Sequence, residues 1–141
     1  MPKKLISQIF TDVSKISSRA GKIEELQKYK NEMPVVAMLK YTLDPKIEFA
    51  LPEGAPPYKV SEDLIDDPGT LYREIRKMNY FIKGKSDNIH PIKRETLFIQ
   101  LLESLHPEEA KLVLAMKEKK MPYKGITLKL VQEAFPGLIK V

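Results

Sequence analysis

A chain of 141 residues, 43% of them hydrophobic, carries enough apolar side chain to fold around one modest core. It has no cysteine, which removes disulfides and thiolate metal ligands, and no apolar run near the ~20 residues of a membrane-spanning helix. The net charge of +5 and pI near 9.3 permit an anionic partner without demanding one.

The start, Met1-Pro-Lys-Lys, is basic but no long apolar stretch follows, so no secretory leader is expected. Leu5, Ile9, Val13 and Ile16 recur at helical spacing, and Ile6 and Phe10 widen the stripe; a core-facing helix is expected over about 3–16. Gly21 then punctuates. A second helix is expected over about 22–31, with Ile23, Leu26 and Tyr29 inward and Lys22, Lys28 and Lys30 outward. Pro34 suits the first turn of a third, about 34–42, carrying Val35, Met38 and Leu39. Asp44-Pro45 ends it, because the proline ring disfavours helical geometry in the residue before.

Ile47, Phe49 and Leu51 alternate with Glu48 and Ala50, which predicts a short extended segment near 46–51. Pro52, Gly54, Pro56 and Pro57 make 52–60 a loop. Ser61 offers a cap for a short turn to Leu64, and Asp67-Pro68 is a helix-start signal. Leu71, Ile75, Met78 and Ile82 then form an inward stripe that Gly84 ends, which puts Lys83 and Lys85 at the negative end of a helix dipole. Pro91 opens the next helix, to about 104, with Ile92, Phe98, Ile99 and Leu102 inward. His106-Pro107-Glu108-Glu109 opens another, with acids at its positive end and Lys117, Lys119 and Lys120 at its negative end. Thr127 caps a last helix, Ile126 packs against Val131 as a staple, and Pro136-Gly137 stops it. The expected architecture is all-α, a single compact domain over 1–141 with about six or seven helices.

No catalytic motif is present. His90 and His106 are the only histidines, and each precedes a proline at a helix start, where capping or solvent exposure is the expected role. Asp63, Asp66 and Asp67 read as a solvated helix start, and no glycine-rich nucleotide loop occurs. No metal, no cofactor and no enzymatic activity are therefore expected. The charge distribution is more informative. The stretch 76–85 holds Arg76, Lys77, Lys83 and Lys85 without an acid, and 117–129 holds Lys117, Lys119, Lys120, Lys124 and Lys129 against Glu118 alone. Lys124-Gly125-Ile126-Thr127 joins a basic helix end to a helix start. There glycine lets the backbone approach a phosphate closely, and free amides face it.

The order Met116-Lys117, Lys120, Gly125-Ile126-Thr127, Val131 and Phe135-Pro-Gly-Leu-Ile139 resembles the end of the helical N-terminal DNA-binding domain of ATP-dependent DNA ligases from large tailed bacteriophages. Ile9 to Ile16, the helix before Asn31, and Tyr41-Thr-Leu-Asp44-Pro45 with Ile47-Glu-Phe49 resemble the opening of that domain. In those enzymes the domain leads into an adenylation domain, whose nucleophile is a lysine in Lys-x-Asp-Gly. Here Lys85-Ser86-Asp87-Asn88 lacks the glycine and lies inside the helical part, so it reads as coincidence. The resemblance implies a stand-alone, non-catalytic domain that binds duplex DNA through its backbone, along the minor-groove face. Lys117, Lys119, Lys120, Lys124 and Lys129 would neutralise phosphates, Gly125 and Thr127 would present amides and a hydroxyl, and Lys83, Lys85, Lys93 and Arg94 would add a second tier. The expected compartment is the cytoplasm, that of the host for a phage protein, or the virion. The alternative is a protein-interaction module, with a partner in a phage or host complex, using the 52–60 loop and exposed Tyr58, Tyr72 or Tyr80.

Overall fold

Most helices in the computed structural model begin where a neighbouring side chain accepts their free amides. The structure describes residues 5–59, 69–85 and 87–139. Among them lie seven α-helices: α1 (Ile6–Ser14), α2 (Arg19–Gln27), α3 (Met33–Leu43), α4 (Gly69–Glu74), α5 (Pro91–Ser104), α6 (Pro107–Lys117) and α7 (Leu128–Ala134). Ser18 Oγ accepts from Gly21 N at 3.0 Å, His90 Nδ1 from Ile92 N at 3.2 Å, His106 Nδ1 from Glu108 N at 3.1 Å, and Thr127 Oγ1 from Leu130 N at 3.2 Å. Both histidines and Thr127 thus cap as expected. Ser18 moves the start of α2 forward to Arg19, so Gly21 lies in its first turn rather than breaking the chain.

Two further expectations need correction. The 71–82 stripe points inward, but not as one α-helix: after Glu74 the chain tightens into a 3-10 helix over Ile75–Tyr80. Three residues per turn put Ile75, Met78 and Phe81 in one row, and Met78 and Phe81 are buried. Ile82 then leaves the helix to bridge Phe49, so Lys83 and Lys85 lie in a turn through Gly84 (φ 88°), not at a helix end. Ile92, expected inward, is 69% exposed. The buried row of α5 runs through Arg94, Phe98, Leu101 and Leu102 instead. Arg94 is accommodated there because its Nε donates to Tyr80 O at 2.9 Å.

The extended segment near 46–51 makes a bridge and no more, with Ala50 N on Phe81 O at 2.6 Å and Lys83 N on Glu48 O at 2.9 Å. The Ser61–Leu64 turn, the Asp67-Pro68 start and the Asp63, Asp66 and Asp67 cluster lie outside the described residues. α6 is the centre of the packing, against α1, α3 and α5, while α2 packs on α7 and closes the two ends of the chain together. One apolar cluster runs from Ile6 and Phe10 through Leu26, Met38, Phe98 and Met116 to Ile139. No helix among the described residues is long and apolar enough to cross a membrane.

Candidate functional site

The end of α6 reverses sharply. Lys119 N donates to Met116 O and Lys120 N to Ala115 O, both at 2.9 Å, and Lys119 takes the left-handed conformation at φ 60°. That helix-ending position usually holds glycine, because a Cβ there crowds the backbone. The side chain explains the exception. Lys119 Nζ donates to Tyr41 O at 2.5 Å and Asp44 O at 2.8 Å, and lies 5.8 Å from the centre of the Phe49 ring. Burial pulls its ammonium below the usual lysine range, and Asp44 and Glu48 oppose that shift.

Lys117 is more enclosed still, with a side chain only 3% exposed. Its Nζ donates to Pro52 O at 2.7 Å, to Gly54 O at 2.9 Å and to Glu118 Oε1 at 2.8 Å, which uses all three of its donors. Glu118 Oε1 also accepts from Gly54 N at 2.6 Å. The hydrogen bond from Lys117 and then that from Gly54 hold the Glu118 carboxyl below its usual range. Lys117 and Lys119 are therefore internal fasteners of the 41–54 segment rather than free cations: all three Lys117 donors and two of the three on Lys119 are committed.

The rest of the basic stretch points outward. Lys120, Lys124 and Lys129 are exposed and make no ion pair among the described residues. Gly125 turns the chain at φ 86°, but Lys22 Cε stands 2.8 Å from where a Cβ would lie, so the glycine makes room for Lys22. Lys22 Nζ donates to Ile16 O, which brings its charge to the same turn. The Thr127 hydroxyl oxygen is occupied by its capping bond. Gly125 and Thr127 thus shape the turn.

In the second tier, Lys83, Lys85 and Lys93 are exposed, with Lys83 3.5 Å from Glu48, while Arg94 is buried. Asp87 Oδ1 accepts from Gly84 N at 2.8 Å, which gives Asp87 a turn-forming role. The two basic clusters border one segment. Lys119 holds it at Asp44 and Phe49, and Phe49 pairs with Ile82 beside Lys83. Tyr58 and Tyr72, expected exposed, pack partly buried against the core, and Tyr80 is exposed at 40%. No cluster of metal-ligating side chains occurs among the described residues.

A protein-family model matches residues 9–123. The chain belongs to DUF6433, a family of unknown function. No curated protein and no solved structure matches it. In this DUF6433 chain the matched stretch takes in Lys117, Lys119, Lys120 and the 41–54 segment, and stops short of Lys124, Gly125, Thr127 and Lys129.

Sequence reasoning also missed Glu109. It is read as a dipole-complementing acid, yet it is 1% exposed and its two oxygens accept from Ile6 N at 2.7 Å and Ser7 N at 2.9 Å. It is thus the cap of α1, supplied from across the chain, since Leu5 supplies none. A signal existed. Glu109 shares an apolar helix row with Leu112, Val113 and Met116, and Lys117 follows Ala110 and Val113 on the next. A charge on such a row demands an internal partner.

Proposed function

We propose that this DUF6433 protein binds duplex DNA without sequence preference, through the phosphate contacts of Lys120, Lys124 and Lys129. The observation that carries this reading is their arrangement: three exposed ammoniums within ten residues, none in a direct ion pair among the described residues, on backbone held by the reversal after α6, the turn at Gly125 and the Thr127 cap. A fixed backbone limits the ordering cost when phosphates are bound. Lys22 adds charge at the turn, and Lys83, Lys85 and Lys93, all exposed, are the second tier of contacts. Lysines act as point charges that neutralise phosphates and read no base edges, so contact with the backbone alone is the expected mode. The resemblance to the ligase N-terminal domain supports the same partner, and the host cytoplasm is the corresponding compartment.

The test is the salt dependence of duplex affinity. Neutralising about three phosphates gives a log–log slope near −2.7, at about −0.9 each on B-form DNA. Lys120→Ala with Lys124→Ala should flatten the slope by about 1.8 and weaken binding to every duplex alike. An unchanged slope in the folded double variant moves the contact elsewhere, and no duplex binding by wild type at low salt removes the reading altogether. We further propose that the protein forms no lysyl-adenylate, because the Lys-x-Asp-Gly motif is absent. Incubation with labelled ATP leaves it unlabelled; AMP attached to Lys85 overturns this.

A further inference from the structure

A slot of about 140 Å³ opens between the 51–57 loop and α5. Its walls are apolar, from proline rings of the loop and from Phe98 and Ile99. Its charged groups are Glu53, Glu95 and Lys117. Lys117 is neutralised locally, because its three donors are taken by Pro52 O, Gly54 O and the Glu118 carboxylate. Glu53 and Glu95 make no hydrogen bond or ion pair among the described residues. In a protein of net charge +5 this slot thus presents two carboxylates without a bonded cation beside mostly apolar walls.

We propose that the slot is a docking site for a basic peptide segment, taking one arginine side chain of a partner protein. Charge complementarity selects the occupant. The aliphatic stem lies along the proline rings and the edge of Phe98, and the guanidinium reaches the carboxylates of Glu53 and Glu95. Arginine fits better than lysine, because a guanidinium is more weakly hydrated, stacks on flat apolar surface and offers a fork of donors to two carboxylates. The loop is already in place to receive it. Its backbone is pinned by Lys117 and Glu118 at Pro52 and Gly54, and by Glu103 Oε2 accepting from Lys59 N at 2.8 Å. This gives the chain a protein partner whose site does not depend on the DNA reading, although Lys120 borders the same Gly54–Ala55 turn from its other side.

The probe is the peptide acetyl-Ala-Ala-Arg-Ala-Ala-amide, titrated into the uniformly 15N-labelled full chain. Saturable shifts are expected at the amides of Gly54, Ala55, Phe98 and Ile99. The same peptide with norleucine for arginine, equal in stem and lacking charge, should bind about tenfold more weakly, as should wild-type peptide to the Glu53→Gln/Glu95→Gln variant. Absent shifts at those amides, equal shifts from the norleucine peptide, or undiminished binding by the double variant each overturn the proposal. Equal shifts from a glutamate-bearing peptide do so as well, since they reverse the sign of the site. If the double variant does not fold, the arginine–norleucine comparison on wild type decides alone.

Discussion

Lys117 and Lys119 differ from Lys120 and Lys124 in nothing that composition can register, yet they occupy opposite regimes. The first pair sits where α6 meets the 41–54 segment, each ammonium enclosed by backbone carbonyls. The second pair begins one residue later, after the left-handed turn has redirected the chain, and stands in water. A lysine cluster is therefore not a unit of function. The turn at Lys119 divides it into a part that holds the fold and a part free to meet a ligand.

The sharpest way to break this contrast is Lys117→Ala. It removes the donor of three bonds, one of them to the Glu118 carboxylate, which is 31% exposed and regains water, and a lost bond to a charged group costs up to about 3 kcal/mol. Urea denaturation should show a loss of that order. A loss below about 0.5 kcal/mol, the scale of ordinary surface changes, would place Lys117 with the solvent-facing lysines.

Lys119 separates backbone from side chain. Lys119→Ala removes the ties to Tyr41 and Asp44 while keeping the left-handed strain, and should cost about 2 kcal/mol for lost charge-assisted bonds. Lys119→Gly loses the same ties but relieves a strain of about 1 kcal/mol, so it should be the more stable of the two variants by about that much. Equal midpoints would show that the left-handed turn carries no strain.

Glu109 is the acidic counterpart, a charge drawn inside to serve the backbone. Burial, the larger influence, raises its pKa above 4.5, against the amide bonds from Ser7 and Ile6. A carboxyl with a raised folded pKa gives its full contribution below its unfolded pKa and loses it as pH climbs through the folded value. The stability of wild type relative to Glu109→Gln, which does not titrate, should therefore fall as pH rises from about 4 to neutral. Urea midpoints of both proteins across that range test it. A difference that grows with pH would mean that the two amide bonds outweigh burial.

The smallest effect on stability belongs to Lys120→Ala with Lys124→Ala, within about 0.5 kcal/mol, as exposed side chains outside any direct ion pair allow. The same variant carries the largest expected change in DNA salt dependence. Stability and binding thus move in opposite order across a single stretch of chain.

Much of the architecture was legible because its signals are local. Pro91, Pro107 and Thr127 mark helix starts through the fixed angle of proline or a side-chain acceptor, and α5, α6 and α7 begin at or one residue after them. The stripe of Leu5, Ile9, Val13 and Ile16, widened by Ile6 and Phe10, found the buried face of α1 by periodicity, with Leu5 and Ile16 only partly buried at its two ends. The 3-10 stretch was less legible, because Leu71, Ile75, Met78 and Ile82 satisfy a period of 3.6 as well as Ile75, Met78 and Phe81 satisfy a period of three. Ile82 pairs with Phe49, far away in the chain, and no local pattern announces that bridge.

The sequence by itself determined that this is a helical chain with a basic stretch near its end, since helix caps, breakers and apolar periods act over a few residues. Only the tertiary structure decided which charges are available. Lys117 meets Pro52 and Gly54, Lys119 meets Tyr41 and Asp44, Glu109 meets Ile6 and Ser7, and Lys22 covers Gly125. Each partner lies far along the chain, and several are backbone groups. Every residue has those groups, so no side-chain pattern announces them, and only the packing of α6 against its neighbours selects the ones that are used.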